Sequence, residues 1–220
     1  ESSVPDDPDL AGELSSYFPR PLRERYADRL AEHQLRREII ATSLVNGMVN
    51  RAGTTFAFRL SEETGASAAD IVRAHEAARA IFAQADLWHA IEALDAQVAA
   101  DVQTRMYLES RRLIERSSRW LLRRRPRPLA LRETVEFFAP GTGEVDAAME
   151  PDPAILADLK TQGVPGPLAR RVAVLGGVYC ALDVTDLAAA TQRAVPEVAA
   201  LWATVGDRLQ LDWLRERIVD

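Results

Sequence analysis

Apolar side chains recur along most of this chain at the spacing of an α-helix. The most evenly apolar segment covers residues 35–52, where leucine, isoleucine, methionine and valine surround a helix drawn at about 100° per residue. A helix that is apolar all round is normally buried. The sequence therefore predicts a central helix here.

Two amide side chains, Asn46 and Asn50, fall on an apolar sector of this predicted helix, beside Arg51. A buried amide without a hydrogen-bond partner costs on the order of 1–3 kcal/mol. We therefore expect Asn46, Asn50 and Arg51 to form a buried polar cluster with partners in a neighbouring segment. Such convergent polar groups in a pocket would favour a metabolite-binding role.

Sequence signals at helix ends predict where other helices begin and stop. Ser67 stands three residues before Asp70, as in a capping box, and the longest predicted helix, 101–124, stops at the prolines that follow Arg125. The segment 54–59 (TTFAFR) is ambiguous and also fits a short strand. The fold class expected is all-α, an irregular multi-helix bundle of about nine to eleven helices.

The chain divides, on this pattern, into two helical subdomains. Residues 1–16 are acidic and contain proline, which is typical of a linker. Residues 140–153 contain three prolines and two glycines and are predicted to be a loop. The expected subdomains are therefore 17–139 and a smaller one, 154–220.

Composition narrows the functional classes. The 220 residues carry a net charge of −6, which argues against a dedicated nucleic-acid binder. The single cysteine, Cys180, excludes an internal disulfide, as expected for the cytoplasm. No apolar run approaches the roughly 20 residues that cross a bilayer, so no membrane partner is expected.

Residues that could carry catalysis or bind a metal are few. His33, His75 and His89 are far apart, and the HExxH-like start at His75 fails because position 79 is arginine. His75 is expected at the core edge with a hydrogen bond; a ligand or acid–base role is the alternative. A GxGxxG-like start at 141–143 lacks its last glycine. We therefore predict no catalytic, cofactor-binding or metal-binding residue.

One charged feature stands out on the longest predicted helix. Arg112, Arg116, Arg119 and Arg123 follow a spacing that aligns them along one face. This face has three interpretations: a solvated helix surface, a dock for an acidic protein surface, or a nucleic-acid contact. The acidic chain and the lack of interleaved aromatic residues disfavour the last.

Several segments resemble one family. They are REIIATSLVNGMVNRAGTTF within residues 17–78, LWHAIEALD at 87–95, ETVEFFAPG at 133–141 and VGDRLQLDWLRERI at 205–218. Together they are similar to the C-terminal helical region of the large bacterial NAD-dependent glutamate dehydrogenases. The resemblance covers nearly the whole chain.

This resemblance implies that the chain itself has no catalytic activity. Family members oxidise glutamate to 2-oxoglutarate and ammonia with NAD, in much longer chains whose catalytic domain precedes this region. NAD would then belong to the parent enzyme and no cofactor to this chain, whose only lysine is Lys160. The chain is expected to be a fragment that continues beyond both ends.

The partners implied by the resemblance are the catalytic domain of the same polypeptide and further copies in a homo-oligomer. The leading expectation is a structural module that holds the oligomer or supports the catalytic domain. Two alternatives remain: a regulatory metabolite-binding module of the same enzyme, and an independent helical adaptor or nucleic-acid binder that uses the arginine face.

Overall fold

A computed structural model of the chain describes residues 4–6, 8–10 and 12–208. Helices make up 80% of this part, and it contains no strand, which confirms the all-α class. In chain order, two short 3-10 helices, Val4–Asp6 and Pro8–Leu10, precede α1 (Gly12–Tyr17), α2 (Arg20–Ala31), α3 (Arg36–Ala52), α4 (Phe56–Thr64), α5 (Ala68–Ile81), α6 (Gln84–Glu92), α7 (Ala100–Arg124), α8 (Leu131–Ala148), α9 (Pro153–Thr161), α10 (Gly166–Ala173), α11 (Leu175–Val178), α12 (Ala181–Thr191) and α13 (Val195–Arg208).

The described residues form more helical segments than the nine to eleven predicted, because some elements are shorter than the pattern indicated. The apolar segment 166–178 is interrupted at Val174 and forms two short helices, α10 and α11. The ambiguous segment 54–59 leads into α4, so it is not a strand. The predicted linker, 1–16, contains both 3-10 helices and most of α1, and Val4, Leu10 and Leu14 within it are buried.

The described residues divide into two compact units. Unit 1 comprises the described residues of Glu1–Ala80 together with Arg111–Val135, and unit 2 those of Ile81–Ser110 together with Glu136–Asp220. These are not the two contiguous subdomains, 17–139 and 154–220, that the sequence indicated. The chain passes from one unit to the other within helices α5, α7 and α8 rather than through a loop.

The core of unit 1 is built around α5 instead of α3. Every residue from Ile71 to Ala78 is buried, so α5 is enclosed on all sides. Its alanines allow neighbouring helices to approach closely. Helix α3 buries only one stripe, formed by Ile40, Leu44, Met48 and Ala52.

In unit 2, α8 continues where a loop was predicted. Residues 140–148 are helical although Pro140 lies inside the helix and lacks the N–H that the helix would use. At Gly141 the helix contacts α12 so closely that an added Cβ would collide with the hydroxyl oxygen of Thr185. The glycine that looked like a loop signal therefore serves helix packing.

Within the described residues, no single helix is both long and apolar enough to span a membrane. One pair, Gly166–Val178 with Ala181–Thr191, passes that test only when its two members are taken together, and these are bent by 62°.

Candidate functional site

The four arginines predicted as an interaction surface lie on α7, and the structure places them in two environments. Arg112 and Arg123 are exposed, whereas Arg116 and Arg119 are half-buried. The predicted alignment along one helix therefore brings them to one side of α7, but not all of them face solvent to the same extent.

Arg119 is committed to a contact within unit 1. Its guanidinium donates to both carboxylate oxygens of Glu63 on α4, with Nε at 2.5 Å and Nη2 at 3.2 Å. Glu115 of α7 accepts in turn from Arg59 of α4, at 2.9 Å from Nη1. Two acidic and two basic side chains thus join α4 to α7.

The ionisation of this cluster follows from its geometry. The hydrogen bond from Arg119 lowers the pKa of Glu63 below its ordinary value, and the positive charges of Arg119, Arg123 and Arg59 lower it further. The same hydrogen bond, with Glu63 as acceptor, raises the pKa of Arg119. Glu63 and Arg119 are therefore both charged at neutral pH, and Arg119 acts as an internal ion-pair partner.

Because Arg119 is paired with Glu63 inside unit 1, the arginine surface consists of Arg112, Arg116 and Arg123. Its use as a dock for an acidic protein surface stays a prediction. Sequence reasoning could not separate Arg119 from the others, because its acidic partner Glu63 lies 56 residues away on another helix.

The predicted buried polar cluster is wrong. Asn46 and Asn50 are exposed, and Arg51 is half-buried. Because α3 has apolar residues on both sides, the helical-wheel projection of its sequence does not indicate which side faces the core. The spacing of four between Ile40, Leu44 and Met48 marks the buried side, and the two amides lie on the other.

A buried charged cluster in unit 1 centres on a histidine. His75 is fully buried, deeper than the core edge expected, and its Nδ1 lies 2.9 Å from Oε1 of Glu76. Arg79 bridges Glu76 and Glu13, and Glu13 also accepts from the hydroxyl of Ser43 at 2.9 Å. The cluster links α1, α3 and α5.

The charge of Glu76 depends on these partners. Burial raises the pKa of Glu76, but the hydrogen bond with His75 and the positive charge of Arg79 outweigh this effect, and the pKa lies below its ordinary value. Glu76 is therefore a buried carboxylate held in place by a cation, which is typical of a structural ion pair.

A hydrogen-bond chain in the core of unit 2 went unrecognised in the sequence. The indole N–H of Trp88 donates to Ser110 Oγ at 2.7 Å, and that hydroxyl donates to Oε1 of Gln84 at 2.6 Å. The Gln84 amide in turn donates to the carbonyl of Phe82 at 3.0 Å. No sequence signal marks Ser110, a polar residue in the middle of a long helix.

The residues that were considered for chemistry are dispersed. No group of three or more His, Cys, Asp or Glu side chains within the described part of the chain could hold a metal ion. Cys180 is buried, and Lys160 is exposed in the last turn of α9. Gly141 and Gly143 lie inside α8, where helical backbone bonds use the N–H groups that a phosphate would need.

Comparison with known proteins gives one consistent result. The family described as "Glutamate dehydrogenase, C-terminal" matches residues 1–220. NAD-specific glutamate dehydrogenases from Halomonas elongata and Mycobacterium tuberculosis are each 38% identical to the chain, over 99% and 97% of its length. The enzyme of the same name from Pseudomonas aeruginosa is 34% identical over 100% of the chain. In each case the chain spans only 14% of the relative.

Proposed function

The chain belongs to the glutamate dehydrogenase C-terminal family, and we propose that it is the non-catalytic helical module of a large NAD-specific glutamate dehydrogenase. The parent enzyme would oxidise glutamate to 2-oxoglutarate and ammonia with NAD in the cytoplasm, and this module would hold the homo-oligomer or support the catalytic domain. The observation that carries the proposal is that 97–100% of the chain matches 14% of each relative, and that the family matches residues 1–220.

The helical architecture supports a role without NAD binding. A dinucleotide pyrophosphate binds at a glycine-rich turn between a strand and a helix. The described residues contain helices but no strand, and the glycines at 141 and 143 lie within α8. These residues do not fit the cofactor, so we propose that NAD binds to another part of the full-length enzyme.

Deletion of this segment from the full-length enzyme tests the proposal. The truncated enzyme should keep NAD binding, measured by calorimetry, but lose its native oligomeric state in mass photometry or its stability to heating. A truncated enzyme with native assembly, stability and turnover would contradict the proposal. The isolated chain should show neither turnover of glutamate with NAD nor binding of NAD, with the heat-denatured chain as the control.

We also propose that Arg112, Arg116 and Arg123 contact an acidic surface of the catalytic domain or of another copy. The support is their position on one side of α7 and the exposure of Arg112 and Arg123. Arg112→Glu with Arg123→Glu should weaken assembly of the full-length enzyme. The exposed pair Arg23→Glu with Arg29→Glu on α2 makes the same change in net charge and serves as the control. Equal effects of the two pairs would contradict this contact.

A further inference from the structure

Helix α3 has a second, partly apolar stripe on the side opposite its buried stripe. The residues of this outer stripe are separated by four, three, four and three positions: Leu35, Ile39, Thr42, Asn46 and Val49. The carbonyl of Leu35 accepts the N–H of Ile39 at 2.9 Å, so the helical repeat includes Leu35 although α3 begins at Arg36. We call these five residues the outer seam.

The described residues leave much of the outer seam uncovered. Leu35 is 57% exposed, Thr42 and Asn46 are exposed, and Val45 at the edge of the seam is 46% exposed. Ile39 and Val49 are half-buried. Leu35 faces solvent and Ile39 and Val49 are only partly covered, which leaves apolar area that a packing element can bury.

The spacing identifies the kind of element. Alternating steps of four and three are the repeat by which one helix packs along another with knobs in holes. In that repeat Ile39 and Asn46 occupy the a positions, and Leu35, Thr42 and Val49 the d positions. A single asparagine at an a position is a known device for fixing the register of paired helices. The outer seam therefore has the pattern of a surface that receives one helix in one register.

We propose that a helix from the preceding part of the same polypeptide packs along the outer seam. This inference rests on the proposed function, because it takes the chain as the C-terminal module of a longer enzyme. The relatives supply ample sequence for such a helix, since this chain spans only 14% of their length.

The size of the seam favours a partner within the same polypeptide over a second copy. From position 35 to position 49 the seam is roughly 21 Å long and about 10 Å wide, which gives on the order of 200 Å². A stable interface between separate proteins buries about 800 Å² on each partner. A tethered helix needs less area, because the covalent link already provides a high effective concentration.

Cysteine labelling in the full-length enzyme tests whether the seam is covered. Thr42→Cys lies on the seam, whereas Gly47→Cys lies on an exposed flank of the same helix, where an added Cβ meets no atom within 4 Å. Trypsin cleaves after Arg37 and Arg51, so one peptide reports both positions by mass spectrometry, free of other cysteines.

In the native enzyme, maleimide should modify Thr42→Cys at least about tenfold more slowly than Gly47→Cys, and the two rates should match in denaturant. Equal rates in the native enzyme would overturn the proposal. If deletion of the whole segment abolishes assembly but the two cysteines react at equal rates, the structural role of the module is supported and only the proposal for the outer seam is rejected.

A photo-crosslink identifies the partner. The photoreactive amino acid p-benzoylphenylalanine replaces Asn46 in full-length enzyme assembled from subunits with two nitrogen isotopes. A crosslinked peptide from upstream of this chain, with both halves always of one isotope, supports the proposal. Crosslinks of mixed isotope, or crosslinks between two copies of the 38–51 peptide, would show that a second copy covers the seam and would overturn it.

Discussion

Ser110→Ala tests the hydrogen-bond chain of unit 2. Ser110 accepts from the Trp88 indole and donates to the Gln84 amide oxygen, and its side chain is 1% exposed. The substitution removes both bonds without creating a large cavity. A buried polar group that loses its partner costs about 1–3 kcal/mol.

The expected loss follows from two opposing effects. Two lost bonds cost several kcal/mol, while alanine favours a helix interior by about 0.5 kcal/mol over serine. We expect Ser110→Ala to lower the free energy of unfolding of this chain by about 2–4 kcal/mol. Urea denaturation followed by far-UV circular dichroism measures the change.

The same helix offers a matched control. Ser117 is fully buried on α7, and among the described residues its hydroxyl has no hydrogen-bond partner. Ser117→Ala should therefore be neutral or slightly stabilising. If the two variants change the free energy of unfolding equally, within about 0.5 kcal/mol, the assignment of the stability to the hydrogen-bond chain is refuted.

Three other substitutions, one of them with a matched control, test the backbone, the ion pairs and the packing. Ala83 has φ of 46°, so Ala83→Gly should raise the free energy of unfolding by about 0.5–1 kcal/mol in the same assay. The pKa of Glu76 is lower in the folded chain, so its ionised form stabilises the fold above the unfolded pKa of about 4.3, and this stabilisation is lost as the pH falls further. Glu76→Gln should therefore make the stability of the fold depend less on pH in acid unfolding monitored by circular dichroism. Gly141→Ala, which forces a Cβ against Thr185, should cost about 1–3 kcal/mol, whereas Gly143→Ala, with open space, should be neutral or stabilising; equal melting temperatures would contradict this.

The fold class could be predicted because the helical repeat of apolar residues is local. The choice of the central helix could not. Helix α3 carries apolar residues on both sides, and only the contacts made by distant segments decide that Ile40 and Leu44 are buried while Asn46 is exposed. Helix α5, which is enclosed, contains Arg73, His75 and Glu76, three residues whose type argues for the surface.

The candidate interaction surface and the course of α8 could also be predicted only in part from the sequence. The alignment of the arginines on α7 was readable from their spacing, but the pairing of Arg119 with Glu63 depends on how α4 packs. The helix through Pro140 was missed because proline and glycine are ordinarily helix breakers. There, close packing of Gly141 against Thr185 outweighs the local preference.

The two units alternate along the chain, and this limits which parts of it homologous genes can exchange. The chain changes unit after Ala80, Ser110 and Val135, so no single break separates unit 1 from unit 2. The break points at Ser110 and Val135 also fall inside α7 and α8. Recombination between homologous genes, or a chimera made at the bench, can therefore exchange both units intact only as one piece, because any internal crossover leaves at least one unit with segments from two parents.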